Sequence, residues 1–358
     1  MKRIDVFLLG LVSILVLFGL FMIYDASSYV ALRDFGDKYH YIKDQFSWGA
    51  LGFLGLIFFT LFDYRKLYNL ALPLLVISII LLILVFMPGI GVYALGAHRW
   101  INLGIFTLQP AEFVKLALAI YLAAWFSNKE KGRFTAFLFL IGLVLVLIAL
   151  QPDMGTGIVI LTEALVIYFL SGGNIFYYVV LIPVLTVIGF IFTKIEPYRA
   201  RRLESFLSLD KSFDSSSYHV KQILIALGSG GIMGVGLGNS LQKYAYLPET
   251  TTDSIFAIIA EELGFVGAAI VIVLFALVVW RGLYVALRAK DNFGKLLAGG
   301  ITTFLATQAI INFAAQTALL PLTGIPLPFI SYGGSALIVD LCAIGMLLNI
   351  SKQGSNNL

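Results

Sequence analysis

The stretch LPETTTDSIFAIIAEELGFVG, residues 247–267, places acidic side chains in an apolar segment. Asp253 stands where the segment begins, and Glu261 and Glu262 follow about two turns later. A carboxylate at the wet end of an apolar helix can act as a general base, because it can take a proton from a hydroxyl as a new bond forms. The alternative is that Asp253, like the threonines before it, only caps a helix.

Helical geometry separates these three carboxylates. Asp253 shares a face with the small residues Ala257, Ala260, Gly264 and Gly267, all within about 40° of it. Such faces pack against other helices, so we expect Asp253 to point into a bundle or a wet cavity. Glu261 and Glu262 lie about 80° and about 180° from Asp253. We therefore predict no single cluster, and we expect at least one glutamate to bond to a neighbouring helix or to the 171–174 turn.

A second chemical motif occurs in LQPAEFVKLALAIYLA, residues 108–123. Glu112 and Lys115 are three residues apart, hence on one face of a helix and within pairing distance. An ion pair inside an apolar span is a functional candidate, and the alternative is a structural pair that fixes helix packing. Asp153, in QPDMGT, lies where proline and glycine break a helix. It is a further functional candidate, and the alternative is a turn aspartate whose hydrogen bonds are satisfied within the turn.

Arginines supply the candidate anion contacts. Arg99 and Trp100, in GAHRW, could stack on a sugar and hold a phosphate, or they could form an ordinary interfacial anchor. The cluster Arg199, Arg201 and Arg202, in EPYRARRLESF, suits phosphate oxygens, although anionic lipid headgroups are an alternative partner.

Several chemistries are disfavoured by what the chain contains. Cys342 is the only cysteine, so no intramolecular disulfide and no Cys-rich metal site can form. The three histidines lack metal-ligand spacing and support no Ser-His-Asp triad. The glycine run GSGGIMGVGLG has no GK[ST] and no preceding strand, so nucleotide binding is poorly supported.

Composition identifies the class of protein that must position these groups. Of 358 residues, 60% are hydrophobic and only 12% are charged, which is too little polar surface for a soluble domain. We predict an all-α, polytopic membrane bundle forming one domain over residues 1–358. The ten predicted spans are 6–24, 46–62, 67–87, 111–126, 134–150, 155–170, 175–193, 253–279, 296–316 and 332–350.

Basic residues predict the orientation of the spans. With the N-terminus inside, most Lys and Arg residues between spans fall in inner loops, which supports cytoplasmic termini. The short outer loops hold four: Arg33, Lys38, Lys43 and Arg99. This places all the motifs above on the outer face, together with a large outer loop, 194–252. Within that loop, SSSYHVKQILIALGSGG predicts an amphipathic helix that ends in glycine.

Four blocks carry a resemblance to a known family: GAHRWINLGIFTLQPAEFVKLALAIYLA, QPDMGT, LPETTTDSIFAIIAEELGFVG and PLTGIPLPFISYGGS. They resemble the SEDS family (shape, elongation, division and sporulation), and most closely its RodA branch, over essentially the whole chain. The resemblance implies a peptidoglycan glycosyltransferase in the bacterial plasma membrane that polymerises lipid II during elongation and rod-shape maintenance. It also implies a class B penicillin-binding protein as partner within an elongation complex, and no nucleic acid.

The family's functional residues map onto this sequence. Its essential aspartate falls on Asp253, and its Glu, Lys and QPD aspartate fall on Glu112, Lys115 and Asp153. Gln109, which opens the same block, is a further supporting candidate. The chain departs from the family at three positions, Ser254, Ala111 and His98, none of which removes an ionisable group.

The implied reaction follows from these groups. Asp253 would take the proton of the GlcNAc 4-hydroxyl, and undecaprenyl pyrophosphate would leave, so that the β-1,4 product forms by inversion. Cations must meet the departing charge; the outer-loop arginines, Lys115 or a divalent ion such as Mg²⁺ or Mn²⁺ could do so. The alternative function is a lipid II flippase, in which buried charges would line a path. We expect the eighth and ninth spans to offer the partner's single span a groove of small residues, with Gly264, Gly267, Ala268, Gly299 and Gly300 as the candidates.

Overall fold

The computed structural model describes residues 4–94, 97–102, 104, 106–128, 133–179, 181, 183, 215–244 and 247–354. Most of this part of the chain is helical, as predicted. The helices are α1 (Val6–Phe35), α2 (His40–Leu61), α3 (Leu67–Leu84), α4 (Pro110–Ser127), α5 (Phe134–Ala149), α6 (Met154–Leu170), α7 (Ser215–Gly230), α8 (Ile255–Leu287), α9 (Asn292–Gln316) and α10 (Gly334–Gly354). A 3-10 turn, Tyr64–Lys66, leads into α3.

Seven of the described helices are long and apolar enough to cross a membrane: α1, α2, α3 with its 3-10 turn, α4, α8, α9 and α10. The apolar helices α5 and α6 have 16 and 17 residues, about 25 Å at 1.5 Å per residue, which is slightly less than a typical hydrocarbon core. The chain is therefore a multi-pass membrane protein. The predicted span 175–193 lies largely outside the described residues.

The helices differ in how much of their surface the bundle covers. About 72% of the apolar window of α9 and of α10 is buried inside the protein, against 28% for α2 and α3. α10 packs along α2, and α9 contacts α4, α6 and α8. The core of the bundle thus lies around α9 and α10, whereas α2 and α3 present Leu54, Leu72 and Ile77 outward, where lipid would lie.

Three short strands stand between α3 and α4, where the sequence predicted no regular structure. They are β1 (Gly91–Ala94), β2 (Ala97–Asn102) and β3 (Thr107–Leu108), paired in that order and antiparallel. The predicted loop carrying Arg99 is therefore a sheet, which fixes that side chain relative to the helices.

The long helix α8 is interrupted at Gly264, whose φ of 68° and ψ of −168° are not helical. A Cβ at this glycine would overlap the backbone of Gly234, so only glycine fits. The glycine run satisfies the backbone groups freed here: Val235 N–H donates to Glu261 O (3.0 Å), and Phe265 N–H donates to Gly231 O (2.9 Å). The glycine run is therefore a structural partner of the kink.

Two of the small residues expected to face a partner helix, Gly299 and Gly300, are already covered inside the bundle. A Cβ at Gly299 would overlap Leu170 of α6, and one at Gly300 would lie 2.6 Å from the Cδ1 atom of Ile167. Both glycines are buried. They let α6 and α9 approach closely inside the bundle, so this part of the prediction was wrong.

Candidate active site

Besides α2, whose Gln45 accepts from the N–H of Gly333 just before α10, four helices begin at the same end of the bundle, which we call the Asp253 end: α4, α6, α8 and α10. The N–H of Gln109, just before α4, donates to Ser335 Oγ in the first turn of α10 (3.1 Å). The N–H of Tyr332, just before α10, donates to the carbonyl of Thr251, just before α8 (2.8 Å). These contacts tie three helix N-termini together.

The start of α6 joins this group through the segment 323–325. A Cβ at Gly155, in the first turn of α6, would lie 3.2 Å from the carbonyl oxygen of Thr323. Each helix N-terminus carries roughly half a positive charge, from N–H groups without an intrahelical partner. Four such termini at one end make it an environment that favours a bound anion.

Asp253 lies in the turn before α8 and is partly exposed. The N-cap position of α8 is held by Ser254, whose side chain makes no capping hydrogen bond, so Asp253 is not the N-cap residue. The Asp253 carboxylate faces Gly324, where a Cβ would lie 3.4 Å from Oδ2. Gly324 has a φ of +77°, a conformation that favours glycine. The segment 323–325 therefore passes close to the carboxylate.

His219 is brought to this turn by α7. Its Nε2 is 2.7 Å from the Oγ of Ser254, and the tautomer decides which of the two donates. The helix predicted for SSSYHVKQILIALGSGG is confirmed, since α7 covers Ser215–Gly230. The sequence analysis gave His219 no role. Because α7 packs on α8, this histidine contacts Ser254, the residue that follows Asp253.

The predicted pair of Glu112 and Lys115 is confirmed. Lys115 Nζ is 2.7 Å from Glu112 Oε2, and neither side chain is more than 2% exposed. The two atoms meet as an ion pair but outside hydrogen-bond geometry, since Oε2 has no hydrogen-bond partner in the described part of the chain. Lys115 is five residues from the start of α4, about 8 Å below the Asp253 end.

Three further polar side chains, which the sequence analysis did not single out, lie buried on the three helices α6, α9 and α10, each of which contacts α4. Glu163 of α6 and Asp340 of α10 are at most 1% exposed and lie within electrostatic range of Lys115. Gln308 of α9 is fully buried. Among the described residues, none of the side-chain oxygens or nitrogens of these three has a hydrogen-bond partner. We call Glu112, Lys115, Glu163, Gln308 and Asp340 the buried cluster.

Asp153 and Arg99 hold one turn together. Asp153 caps α6, accepting from Thr156 N–H (3.1 Å) and Thr156 Oγ1 (2.9 Å). Arg99 donates to the carbonyls of Gln151 (3.1 Å) and Pro152. These contacts support the alternative of a satisfied turn aspartate and give Arg99 a structural function. The predicted substrate contacts of both residues stay predictions.

The remaining predicted residues divide into two groups. Gln109 immediately precedes α4 and makes no side-chain cap bond, and its N–H fixes the join with α10 described above. Arg199, Arg201 and Arg202 lie outside the described residues. Their predicted grip on phosphate stays a prediction.

The two glutamates of α8 are structural. Glu262 accepts from the N–H groups of Gly238 (3.1 Å) and Ser240 (3.2 Å) and from Lys243 Nζ (2.9 Å). Lys243 also binds Asp25 of α1 at 3.0 Å. Burial lowers the pKa of Lys243, but its bonds to Glu262 and Asp25 raise the pKa more, so the net pKa lies above the usual value.

Glu261 extends this clamp to α7. It accepts from the Ser229 hydroxyl (3.4 Å) and from Leu241 N–H (3.3 Å). The expectation that one glutamate bonds to a neighbouring helix is confirmed, and the segment after the glycine run is bound at the same point. Neither glutamate faces Asp253 as a second base.

The predicted divalent cation stays a prediction. In the described part of the chain, no group of three or more His, Cys, Asp or Glu side chains has the geometry to hold a metal ion. The roles below are therefore derived from this chain's own groups.

Three of the residues that the sequence analysis missed share one signal. The stretch ATQAIINFAAQTALL places Gln308, Asn312 and Gln316 four residues apart, so they form a polar stripe along one face of α9. Polar side chains in an apolar span are rarely exposed to lipid. This periodicity could have identified them, whereas Lys243 and Asp25 are 218 residues apart and give no local signal.

The chain matches a family model described as "Cell cycle protein", FtsW/RodA/SpoVE, over residues 5–356. It belongs to the SEDS family. Stage V sporulation protein E of Bacillus subtilis (strain 168) is 39% identical over 355 residues, covering 97% of each chain. The probable peptidoglycan glycosyltransferase FtsW of Geobacter sp. (strain M18) is 38% identical, covering 99% of each chain.

Solved structures share the SEDS fold over its whole length. One chain, from a structure described as "Structural coordination of polymerization and crosslinking by a peptidoglycan synthase complex", superposes with a TM-score of 0.82 at 26% identity, covering 99% of each chain. The rod shape determining protein RodA of Thermus thermophilus superposes with a TM-score of 0.73 at 26% identity, with the same coverage. The expected family and helical membrane fold are confirmed, while these names do not separate the RodA branch from FtsW and SpoVE.

Proposed function

We propose that this SEDS protein is a peptidoglycan glycosyltransferase that polymerises lipid II. The names of its relatives support the activity. The structural observation that carries the proposal is the partly exposed Asp253 carboxylate at the end where α4, α6, α8 and α10 begin. A base and an anion-favouring environment are the two things that glycosyl transfer from a pyrophosphate requires.

In the proposed reaction, the Asp253 carboxylate takes the proton of the GlcNAc 4-hydroxyl of the acceptor. The freed oxygen forms a bond to the anomeric carbon of the donor as the bond from that carbon to the pyrophosphate oxygen breaks. Undecaprenyl pyrophosphate leaves with the electron pair, and the anomeric configuration inverts because no covalent intermediate forms.

The departing pyrophosphate needs positive charge. The N-termini of α4, α6, α8 and α10 supply it without a side chain, since their N–H groups point toward the Asp253 end. Lys115 is less suited to this role, because it is buried and already paired with Glu112. The cluster Arg199, Arg201 and Arg202 is our candidate for the direct grip.

We propose that the Asp253 end faces the outside of the plasma membrane and that both termini are cytoplasmic. The basic residues at the opposite end of the bundle support this orientation: Arg65, Lys66, Arg281, Arg288, Lys290 and Lys295. A membrane-impermeant thiol reagent should label a cysteine at Glu249 from outside the cell and one at Lys290 only after lysis.

We further propose a class B penicillin-binding protein as partner, supported by the structural relative from a peptidoglycan synthase complex. The finer role in elongation, rather than division or sporulation, is proposed from the resemblance to RodA. Depletion of this protein in its host decides among the three: loss of rod shape supports elongation, whereas filamentation or failed spores would assign it to the other two.

The decisive experiment measures lipid II polymerisation by purified protein carrying Asp253→Asn. An amide has the shape of the carboxylate but cannot accept the proton, so we expect no glycan ladder from a folded, inserted protein. Glu249→Gln is the matched control, since it makes the same chemical change at an exposed site four residues away, and it should keep the wild-type rate. A wild-type ladder from Asp253→Asn contradicts the base assignment.

The buried cluster favours a second candidate, a lipid II flippase, because buried ionisable side chains without hydrogen-bond partners can line a path through a bundle. Reconstituted vesicles separate the two functions. A flippase should translocate labelled lipid II with Asp253→Asn as well as with wild type, and it should lose this activity on Glu163→Gln or Asp340→Asn. A polymerase without transport shows no translocation in any variant.

A further inference from the structure

Two buried amides of α9 contact the backbone around Asp253. Asn312 is 2% exposed and Gln316 is fully buried. Asn312 Nδ2 donates to the carbonyl of Ile325 at 2.8 Å and to the carbonyl of Asp253 at 3.3 Å. One amide therefore joins the backbone of Asp253 to the segment 323–325 that faces its carboxylate.

Gln316 fixes the orientation of this amide. Its Nε2 donates to Asn312 Oδ1 at 2.6 Å, and its own Oε1 accepts from the N–H of Ala257 at 2.7 Å. A flipped Asn312 would turn its oxygen toward two carbonyls, and a flipped Gln316 would set two donors against each other. Each amide has one orientation that satisfies all of its contacts.

The contact with Ala257 serves as a helix cap. Ala257 is the third residue of α8, the position whose N–H an N-cap side chain usually binds. Ser254, the N-cap residue, makes no such bond, and its hydroxyl is engaged with His219. The N–H of Ala257 also reaches the Ser254 carbonyl at 3.0 Å. Gln316 thus supplies the capping oxygen from a different helix.

We propose that Asn312 and Gln316 are positioning residues that hold Asp253 in its reactive place. They act through the backbone: Asn312 fixes the Asp253 carbonyl and the facing segment, and Gln316 fixes the first turn of α8. The inference rests on the proposed function, in which Asp253 is the base. Neither amide touches the reacting atoms, so both should govern the catalytic step and not substrate affinity.

The test measures kcat and KM for lipid II with purified Asn312→Ala and Gln316→Glu. Gln316→Glu is nearly isosteric: it keeps an acceptor for Ala257 and loses the donor to Asn312. Because small displacements of a catalytic group are costly, we expect kcat to fall about 10–100-fold, with KM within about twofold of wild type. Thr302→Val is the control, because it removes another buried hydrogen-bonding group of α9. Thr302 lies about 15 Å from Asn312 along the helix.

A double variant provides a second readout. The two amides share a hydrogen bond but hold different backbone atoms. Asn312→Ala combined with Gln316→Glu should therefore lower kcat by less than the product of the two single effects. Independent effects that multiply would overturn the proposal.

Other outcomes are equally clear. If Asp253→Asn abolishes polymerisation while both amide variants keep the wild-type kcat, the positioning inference is wrong and the base assignment stands. If Asp253→Asn keeps its activity, the base assignment itself fails. A rise in KM with unchanged kcat would overturn positioning in favour of substrate binding. A loss of kcat that follows the fall in melting temperature, and is equally large in Thr302→Val, would overturn it in favour of a general loss of stability.

Discussion

Lys243 and Lys115 are both buried lysines surrounded by carboxylates, but their surroundings differ. Lys243 binds Asp25 and Glu262, and Glu262 accepts further bonds from two backbone N–H groups. Lys115 meets one oxygen of Glu112, while Glu163 and Asp340 nearby have no hydrogen-bond partner among the described residues. One network is satisfied and the other is not.

This difference indicates a structural role for the Lys243 network and a functional role for the buried cluster. A satisfied buried network rigidifies a fold, and an unsatisfied one is retained against a cost. The Lys243 network clamps α1 and the glycine run to α8, which keeps the turn before Asp253 in place. The buried cluster makes no such clamp, and its position below the Asp253 end makes it the functional candidate of the two.

The largest effect should come from Lys243→Met. This change leaves Asp25 and Glu262 close together without their cation, so we expect a loss on the order of 3–5 kcal/mol in the free energy of unfolding. Chemical or thermal unfolding in detergent measures it. The double variant with Asp25→Asn should recover part of the loss; a change below about 1 kcal/mol in the single variant would show that the clamp contributes little.

A smaller effect is expected from the pair of Glu112 and Lys115. Lys115 retains Glu163 and Asp340 within electrostatic range, so a double-mutant cycle with Glu112→Gln and Lys115→Met should give a coupling energy of about 0.5–3 kcal/mol. The same unfolding assay applies. Additive effects would mean that the 2.7 Å contact does not stabilise the protein.

The sharpest contrast is between Glu163→Gln and Glu262→Gln. Glu163 has no hydrogen-bond partner to lose among the described residues, and an amide does not carry the penalty of burying a carboxylate. The free energy of unfolding of Glu163→Gln should therefore lie within about 1 kcal/mol of the wild-type value or above it. Glu262→Gln weakens bonds to a charged acceptor and should cost about 1.5–3 kcal/mol. Equal losses at both positions would mean that Glu163 has a structural partner after all.

The sequence predicted what local spacing controls. The pairing of Glu112 with Lys115 follows from their separation on one helix, and α7 follows from its apolar face. The sequence did not predict β1 to β3, because strands this short depend on their neighbours. The Asp25 to Lys243 contact and the close packing of Gly299 on Leu170 depend on which helices meet, which no window of sequence contains.

The site was predicted in the same uneven way. Asp253 was identified because a carboxylate at the start of an apolar span is unusual. The cap of α8 could not be assigned, since Gln316 supplies its oxygen from a helix 59 residues further along the chain. The convergence of four helix N-termini required the connections made by Gln109 and Tyr332, whose backbone bonds have no sequence pattern.

The smallest effect is expected at Asp291, which lies at the end of the bundle opposite Asp253. Its hydrogen-bond network is satisfied like that of Lys243, but it is partly exposed to solvent. Asp291 caps α9 and accepts from Gly294 N–H, Tyr64 OH and Arg65 Nε at 2.7 to 2.9 Å. Burial raises the pKa of Asp291, but these bonds lower it more, so its net pKa lies below the usual 3.8. Its side chain is 34% exposed.

A depressed pKa fixes the sign of the pH dependence. Near pH 3.8 the unfolded chain binds more protons at Asp291 than the folded one, so this contribution to stability is full above that pH. It is lost as the pH falls through the lowered folded pKa. Because solvent screens the site, we expect less than about 1 kcal/mol. Melting temperatures of wild type and Asp291→Asn should therefore converge as the pH is lowered below 3.8; a constant difference down to pH 2 would show that the Asp291 charge does not stabilise the fold.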